Sequence, residues 1–334
     1  MKVLLLLTVL ALSACEGRHG PVDLIGSTMG TRFTVTLPNG IGDYVPVRLQ
    51  KDIEAALDDD EAQMSTYQDD SLISYFNQSD STEWLQVLDS FCSKVERSQQ
   101  ISELTGGAFD ITVGPLVNLW GFGPDEMIRE PPDAAAIAAL RAVTGYQQLQ
   151  TDCARPAIRK NVAGLMLDMS AIGKGFAADR VAALLEELGF EDYLVEIGGE
   201  LRLRGHNAAG KPWAIGIEAP LDDTRKPHII VHLTDTAMAT SGDYRNYFEA
   251  GGQRYSHTID TRTGRPVTHS LASVTVVDRS AWRADALATA LLVMGPEEGM
   301  AFATRENLAV LMLLRSEYGV EELQTAAFEQ LRAG

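Results

Sequence analysis

Leu167-Asp168-Met169-Ser170-Ala171-Ile172-Gly173-Lys174-Gly175-Phe176 sets a short apolar run against a Gly-Lys-Gly turn, and Val181, Leu184, Leu185 and Leu188 follow at helical spacing before Gly189. That order predicts a strand over 164–169, a glycine-freed turn, and a helix over 176–188 with Gly189 as its stop. A doubly wound nucleotide fold would place Gly-x-Gly-x-x-Gly after a first strand, or Gly-x4-Gly-Lys-Ser/Thr at such a turn. The chain has neither, so neither a Rossmann site nor a P-loop is supported.

Further strands are expected over 32–37, 193–197, 213–218, 228–233, 272–277 and 309–314. Helices are expected over 283–294, which is rich in Ala and Leu with Gly295 after it, and over 89–105, 134–143 and 321–332. Strands and helices alternate irregularly, which argues for an α+β fold with a mixed, largely antiparallel sheet and packed helices. At 334 residues the chain exceeds the usual single domain, so one large unit or two intimately joined lobes are expected. The turn-rich stretch from Gly121-Phe122-Gly123-Pro124 to Pro131-Pro132-Asp133 reads as a surface loop rather than a hinge.

The N-terminus reads as a processing signal. Met1-Lys2 supplies a basic start, residues 3–12 are apolar, and Leu12-Ser13-Ala14-Cys15 follows. The run is too short to cross a hydrocarbon core of about 30 Å, so a cleaved signal peptide is expected over 1–14. The pattern before Cys15 resembles the bacterial lipobox, which predicts lipidation of Cys15, a tether over 15–23 and a domain over 24–334 held at a membrane by its acyl chains.

Acidic residues number 46 against 28 basic, a formal net charge of −18. Such a surface repels nucleic acid phosphates and anionic headgroups, so neither is an expected partner. A phosphate-rich ligand would need a local device, such as a metal ion or a helix N-terminus. Cys92 and Cys153 lie far apart with no metal-like spacing, which leaves a disulfide or two free thiols.

Glycine-bearing segments mark the element ends where ligand sites concentrate. At Gly173-Lys174-Gly175 the alternatives are an anion site at a helix start and tight strand-to-helix packing. In Gly106-Gly107-Ala108-Phe109-Asp110 and Leu119-Trp120-Gly121, Phe109 and Trp120 suit core anchors. Glu196-Ile197-Gly198-Gly199-Glu200 reads as a turn. His257, set in Ser256-His257-Thr258-Ile259-Asp260, is suited to act as a base or to donate a hydrogen bond to a phosphate, although a lone histidine is more often structural. Asp285 and Thr289 share one helical face at i,i+4 spacing, and two hard oxygen ligands so placed suit Mg2+.

In this order the segments resemble the ApbE family, the bacterial FAD:protein FMN transferases. The matching pieces are Thr28-Met29-Gly30-Thr31, Gly107-Ala108-Phe109-Asp110 with Gly114-Pro115 and Trp120-Gly121, and Leu167-Asp168 with Gly173-Lys174-Gly175. They continue with Gly198-Gly199-Glu200, Ser241-Gly242-Asp243-Tyr244, His257-Thr258-Ile259-Asp260 with Thr263-Gly264, and Asp285 through Thr289. The resemblance implies an ApbE-like (T-fold-like) α+β domain over 24–334 with FAD as substrate in a cleft between two intimately joined lobes, and Mg2+ at its pyrophosphate. It implies Asp285, Thr289 and the backbone oxygen of Ala171 as metal ligands. FAD contacts would come from Met29, Tyr67, Ala108, Phe109, Asp110, Asp168, Lys174 and Ile259, with His257 and Lys174 catalytic. Thr261 departs from the family, where many relatives carry proline.

The implied reaction moves FMN from FAD onto a Ser or Thr hydroxyl of another protein and releases AMP. Acceptors would be flavin-carrying subunits of the sodium-pumping NADH:quinone reductase or Rnf-type complexes, at the periplasmic face of the bacterial cell envelope, with the inner membrane favoured. The rival readings are an FAD pyrophosphatase on the same site and a non-catalytic, membrane-tethered FAD-binding lipoprotein.

Overall fold

The computed structural model describes residues 20–124, 130–220, 227–243, 246–317 and 319–333. The expected signal peptide, Cys15, the first part of the tether, Tyr244 and residues 125–129 of the expected surface loop lie outside them.

The described residues form an eight-stranded sheet in the spatial order Val22–Thr28, Thr31–Leu37, Tyr193–Ile197, Glu200–Arg204, Thr236–Gly242, Leu271–Asp278, Ala309–Ser316 and Gly319–Gln324. Every ladder in it is antiparallel. The α+β expectation therefore holds. Long excursions leave the sheet between neighbouring strands, and these excursions carry the cleft.

Alternation along the central strands sends side chains to both faces, as period-two geometry requires. Tyr193, Val195 and Ile197 face the helices Pro46–Met64 and Gly173–Glu187. Val274, Val276, Val310 and Met312 meet the helix Ala281–Arg305. On the opposite face Leu201, Leu203, Met238, Leu311 and Leu313 pack under the hairpin Trp213–Glu218/Pro227–Leu233 and Phe328. The result is three layers, helices over sheet over hairpin.

Two expectations need correction, and a third holds but is followed by more helix. Residues 164–169 join no ladder. Their backbone is instead held by side chains and a distant loop. The Asn77 amide gives and takes one bond with Leu167, at 2.8 and 2.7 Å. Lys160 donates to the Leu165 carbonyl at 2.7 Å, and Asp168 N–H donates to the Ile111 carbonyl at 2.7 Å. The helix expected over 321–332 is a strand, Gly319–Gln324, followed by a helix, Ala326–Ala333. Pairing with Ala309–Ser316 overrides the helix propensity of Glu321 and Glu322. The helix expected over 283–294 does break at Gly295, whose φ of 79° is left-handed, but helix resumes through Pro296 to Arg305.

Helix Pro46–Met64 was not anticipated, though Leu49, Ile53 and Leu57 recur at helical spacing on its buried side. Cys92 and Cys153 form a disulfide, which settles the alternatives left open for them.

Candidate active site

The two helices that build the site touch at their first turns. A Cβ on Gly175 would lie 2.5 Å from the Ala281 carbonyl oxygen and 2.6 Å from Trp282 Cα. Only glycine lets the backbones come so close. The contact has a polar consequence, since Gly175 N–H donates to Asp285 Oδ2 at 3.0 Å. Gly173 N–H donates to the Met169 carbonyl at 2.7 Å. Two of the first-turn N–H groups are thus committed within the chain, and of the two readings of Gly-Lys-Gly, Gly175 follows tight packing.

Lys174, between these glycines, turns its side chain to Glu200, with Nζ 2.7 Å from Oε1. Burial alone would lower the Lys174 pKa, but the Glu200 and Asp285 carboxylates outweigh it and hold the value above the ordinary one. Burial pushes the Glu200 carboxyl up, with Lys174 opposing and Asp285 adding to the rise. Asp285, 4% exposed, is likewise raised by burial against the pull of Lys174 and the Gly175 bond. One helical turn beyond it, Thr289 Oγ1 lies 3.0 Å from Ser241 Oγ.

His257 closes the hairpin Tyr247–Ala250/Gln253–Ser256. Its Nδ1 is 3.0 Å from the Asn246 carbonyl oxygen, which also accepts the His257 backbone N–H at 3.1 Å. An oxygen that can only accept requires the proton on Nδ1, leaving the Nε2 lone pair free. Burial lowers the His257 pKa, so the neutral ring prevails near neutral pH. Phe122 meets the ring edge-on at 6.3 Å between centroids.

These groups face one cavity of about 370 Å³. Of the residues expected from sequence, Tyr67, Ala108, Phe109, Asp110, Asp168, Ala171, Lys174, His257, Ile259, Asp285 and Thr289 all line it. Met29 is not part of the lining. It stands in the turn between the first two strands with φ +48°, followed by Gly30 at φ +68°, a type I′ pair in which Met is an unusual occupant. Its N–H donates to the Glu61 carboxylate, and its side chain packs against two cores. Tyr67, 70% exposed, and Asp168 also line a second cavity of about 330 Å³.

Several lining groups are fixed by the chain itself. Asp110 Oδ1 accepts from Thr112 N–H and Oγ1 at 2.8 and 2.7 Å, and Oδ2 accepts from Tyr146 N–H at 2.7 Å. Asp168 Oδ1 accepts from Ser170 N–H at 2.7 Å. Thr261, the position that departs from the family pattern, donates to the Gly107 carbonyl at 2.6 Å. Trp120 Nε1 donates to the Gly264 carbonyl at 2.9 Å. The Ala108–Asp110 and His257–Gly264 loops are thereby joined.

Sequence reading missed Asn246, which offers a backbone oxygen and so has no side-chain signature, and read Glu200 only as part of a turn. Among the described residues no cluster of three or more His, Cys, Asp or Glu side chains is placed to hold a metal ion. The donors at Asp285 and Thr289 are a single carboxylate and a hydroxyl. This hard, sparse set suits a cation that keeps water or phosphate as its remaining ligands.

The model of the ApbE family matches residues 29–312. An FAD:protein FMN transferase of Vibrio cholerae is 44% identical over 324 residues, spanning 97% of this chain and 96% of that protein. The solved flavin transferase ApbE from Vibrio cholerae superposes with a TM-score of 0.86 at 42% identity, over 93% of this chain and 99% of that one. The flavinyl transferase ApbE of Pseudomonas stutzeri in its apo form gives 0.86 at 42% identity, over 94% and 97%.

Proposed function

The chain belongs to the ApbE family, and from that premise we propose that it transfers FMN from FAD to a Ser or Thr hydroxyl of an acceptor protein, releasing AMP. The observation that carries this reading is the convergence on one cavity of Lys174, His257 with a free Nε2, and the Asp285–Thr289 pair. A dinucleotide has two ring systems joined by a pyrophosphate, and two cavities that share Tyr67 and Asp168 suit that shape.

In the reaction the acceptor oxygen attacks the FMN-side phosphorus, a new P–O bond forms, and the bond to the AMP phosphate breaks. His257 Nε2 takes the hydroxyl proton, while the bond from Nδ1 to Asn246 keeps the ring in the tautomer that can accept it. The Lys174 ammonium offsets charge on the pyrophosphate. Asp285, Thr289 and the Ala171 carbonyl would hold Mg2+, which supplies further charge neutralisation at the pyrophosphate when bound. Phe109, 1% exposed, gives the cavity a rigid apolar wall, and Tyr67 stands at its mouth as a face for a ring.

The acceptors belong, in this reading, to flavin-carrying subunits of sodium-pumping NADH:quinone reductase or Rnf-type complexes, and the domain works on the periplasmic face, anchored through Cys15. The Cys92–Cys153 disulfide supports an oxidising compartment. Two experiments test the reading. Cys15→Ser should shift the full-length chain from the membrane to the soluble fraction, and unchanged fractionation would contradict the anchor. AMP release from FAD should depend on added acceptor. Equal AMP with free FMN in its absence would favour hydrolysis instead.

A further inference from the structure

Lys174 lines one cavity with two carboxylates, Glu200 and Asp285, and the chain commits it to one of them. Glu200 follows directly on the Gly198-Gly199 turn and is 2% exposed. Its Oε1 holds Lys174 Nζ at 2.7 Å, while its Oε2 is buried without a hydrogen-bond partner. The turn makes room for the lysine stem. Gly198 has φ +60°, and a Cβ there would come within 3.1 Å of Lys174 Cδ and 2.8 Å of Thr31 Cγ2. Asp285, by contrast, receives its hydrogen bond from the backbone of Gly175 and is spared the lysine next to that glycine in sequence.

A buried carboxylate with an unsatisfied oxygen is a poor device for stability, because desolvation opposes the gain from the pair. Its value lies in what it does to Lys174. An ammonium paired with Asp285 would occupy the carboxylate that a divalent cation needs. We propose that Glu200 is a positioning residue: it keeps the Lys174 ammonium off Asp285, so that Asp285 stays open to the cation while Lys174 remains at the cavity wall. The inference rests on the metal reading given above.

The test is Mn2+ binding, followed by the loss of the free-ion EPR signal, on the full-length chain saturated with FAD before acceptor is added. FAD saturation is verified for each variant by flavin fluorescence. Glu200→Gln, which keeps the side-chain shape, should raise the Mn2+ dissociation constant about tenfold or more, near the strength of a well-placed charge interaction. Lys174→Met should bind Mn2+ at least as well as the natural chain, and the double variant should match Lys174→Met. Glu200→Asp retains the charge but falls short of Lys174, and should behave like Glu200→Gln.

An equal loss from Glu200→Gln with and without Lys174 would make Glu200 a direct charge on the cation and overturn the positioning role. So would natural affinity in Glu200→Asp or Glu200→Gln. No Mn2+ binding by the natural chain would overturn the metal reading itself and this inference with it.

Discussion

At the residue scale the site turns on His257. The Asn246 carbonyl accepts from both its backbone and its ring, so the free Nε2 is a property of the loop as much as of the histidine. Replacing His257 with Ala should lower kcat by about 10²–10⁴-fold, with FAD affinity kept. Equal loss of FAD binding, measured by fluorescence titration, would make His257 a ligand contact instead. The pH dependence follows from the lowered pKa. In the proposed mechanism the neutral ring is the competent form, so the rate should persist as pH falls through the ordinary histidine range near about 6.5 and decline only below it. An acid limb at or above that range in the kcat profile that persists in Glu200→Gln, and so does not report the raised Glu200 carboxyl, would contradict the assignment. Thr261 offers a smaller test: Thr261→Val removes the bond to Gly107 and should cost about 1 kcal/mol in urea unfolding. That His257, Lys174, Asp285 and Thr289 would meet in one cavity was legible because the chemistry that singled them out travels with their identity. Asn246 was not, because any residue at that position supplies a carbonyl.

At the scale of elements, the crossing of Gly173–Glu187 with Ala281–Arg305 sets the distance between Lys174 and Asp285. Gly175→Ala would drive a Cβ into the Ala281 carbonyl and Trp282 Cα. Backbone atoms cannot step aside as a side-chain tip can, so the helices must part. A loss of about 1–3 kcal/mol in stability is expected, with weaker Mg2+-dependent activity, and an unperturbed melting curve would contradict the packing argument. The helix Gly173–Glu187 could be read from its apolar spacing and the Gly189 stop. The stretch 164–169 read as a strand because it is apolar and short, yet its partners are the Asn77 amide and the buried Lys160 ammonium, which also caps the Phe76 and Ser79 carbonyls at 2.9 and 2.8 Å. No local pattern announces a lysine that is 1% exposed. The strand Gly319–Gln324 was hidden for the converse reason: Glu321 and Glu322 favour helix alone, and only pairing with a distant strand decides their state.

At the scale of the whole molecule, the antiparallel sheet is a frame whose connecting helices and loops carry the site, and the disulfide ties the helix Asp89–Leu104 to the segment after the strand Leu149–Asp152. Reduction, or Cys92→Ser with Cys153→Ser, should lower stability by about 2–4 kcal/mol. An unchanged urea midpoint would contradict a structural role. The fold class was legible from the irregular alternation of strands and helices, whereas strand order was not, because long excursions separate strands that lie side by side, such as Thr31–Leu37 and Tyr193–Ile197.

The central claim, that FMN is moved from FAD to a protein hydroxyl, is tested most directly by intact-mass measurement. A flavin-free acceptor domain from one of the proposed flavin-carrying subunits, offering Ser and Thr hydroxyls, is incubated with FAD, Mg2+ and the chain beginning after Cys15, in parallel with Asp285→Ala. The predicted result is a gain of one FMN on a single acceptor residue, lost on chelation of Mg2+ and absent with Asp285→Ala. Release of AMP and free FMN with an unmodified acceptor, or labelling undiminished by chelation and by Asp285→Ala, would contradict the account.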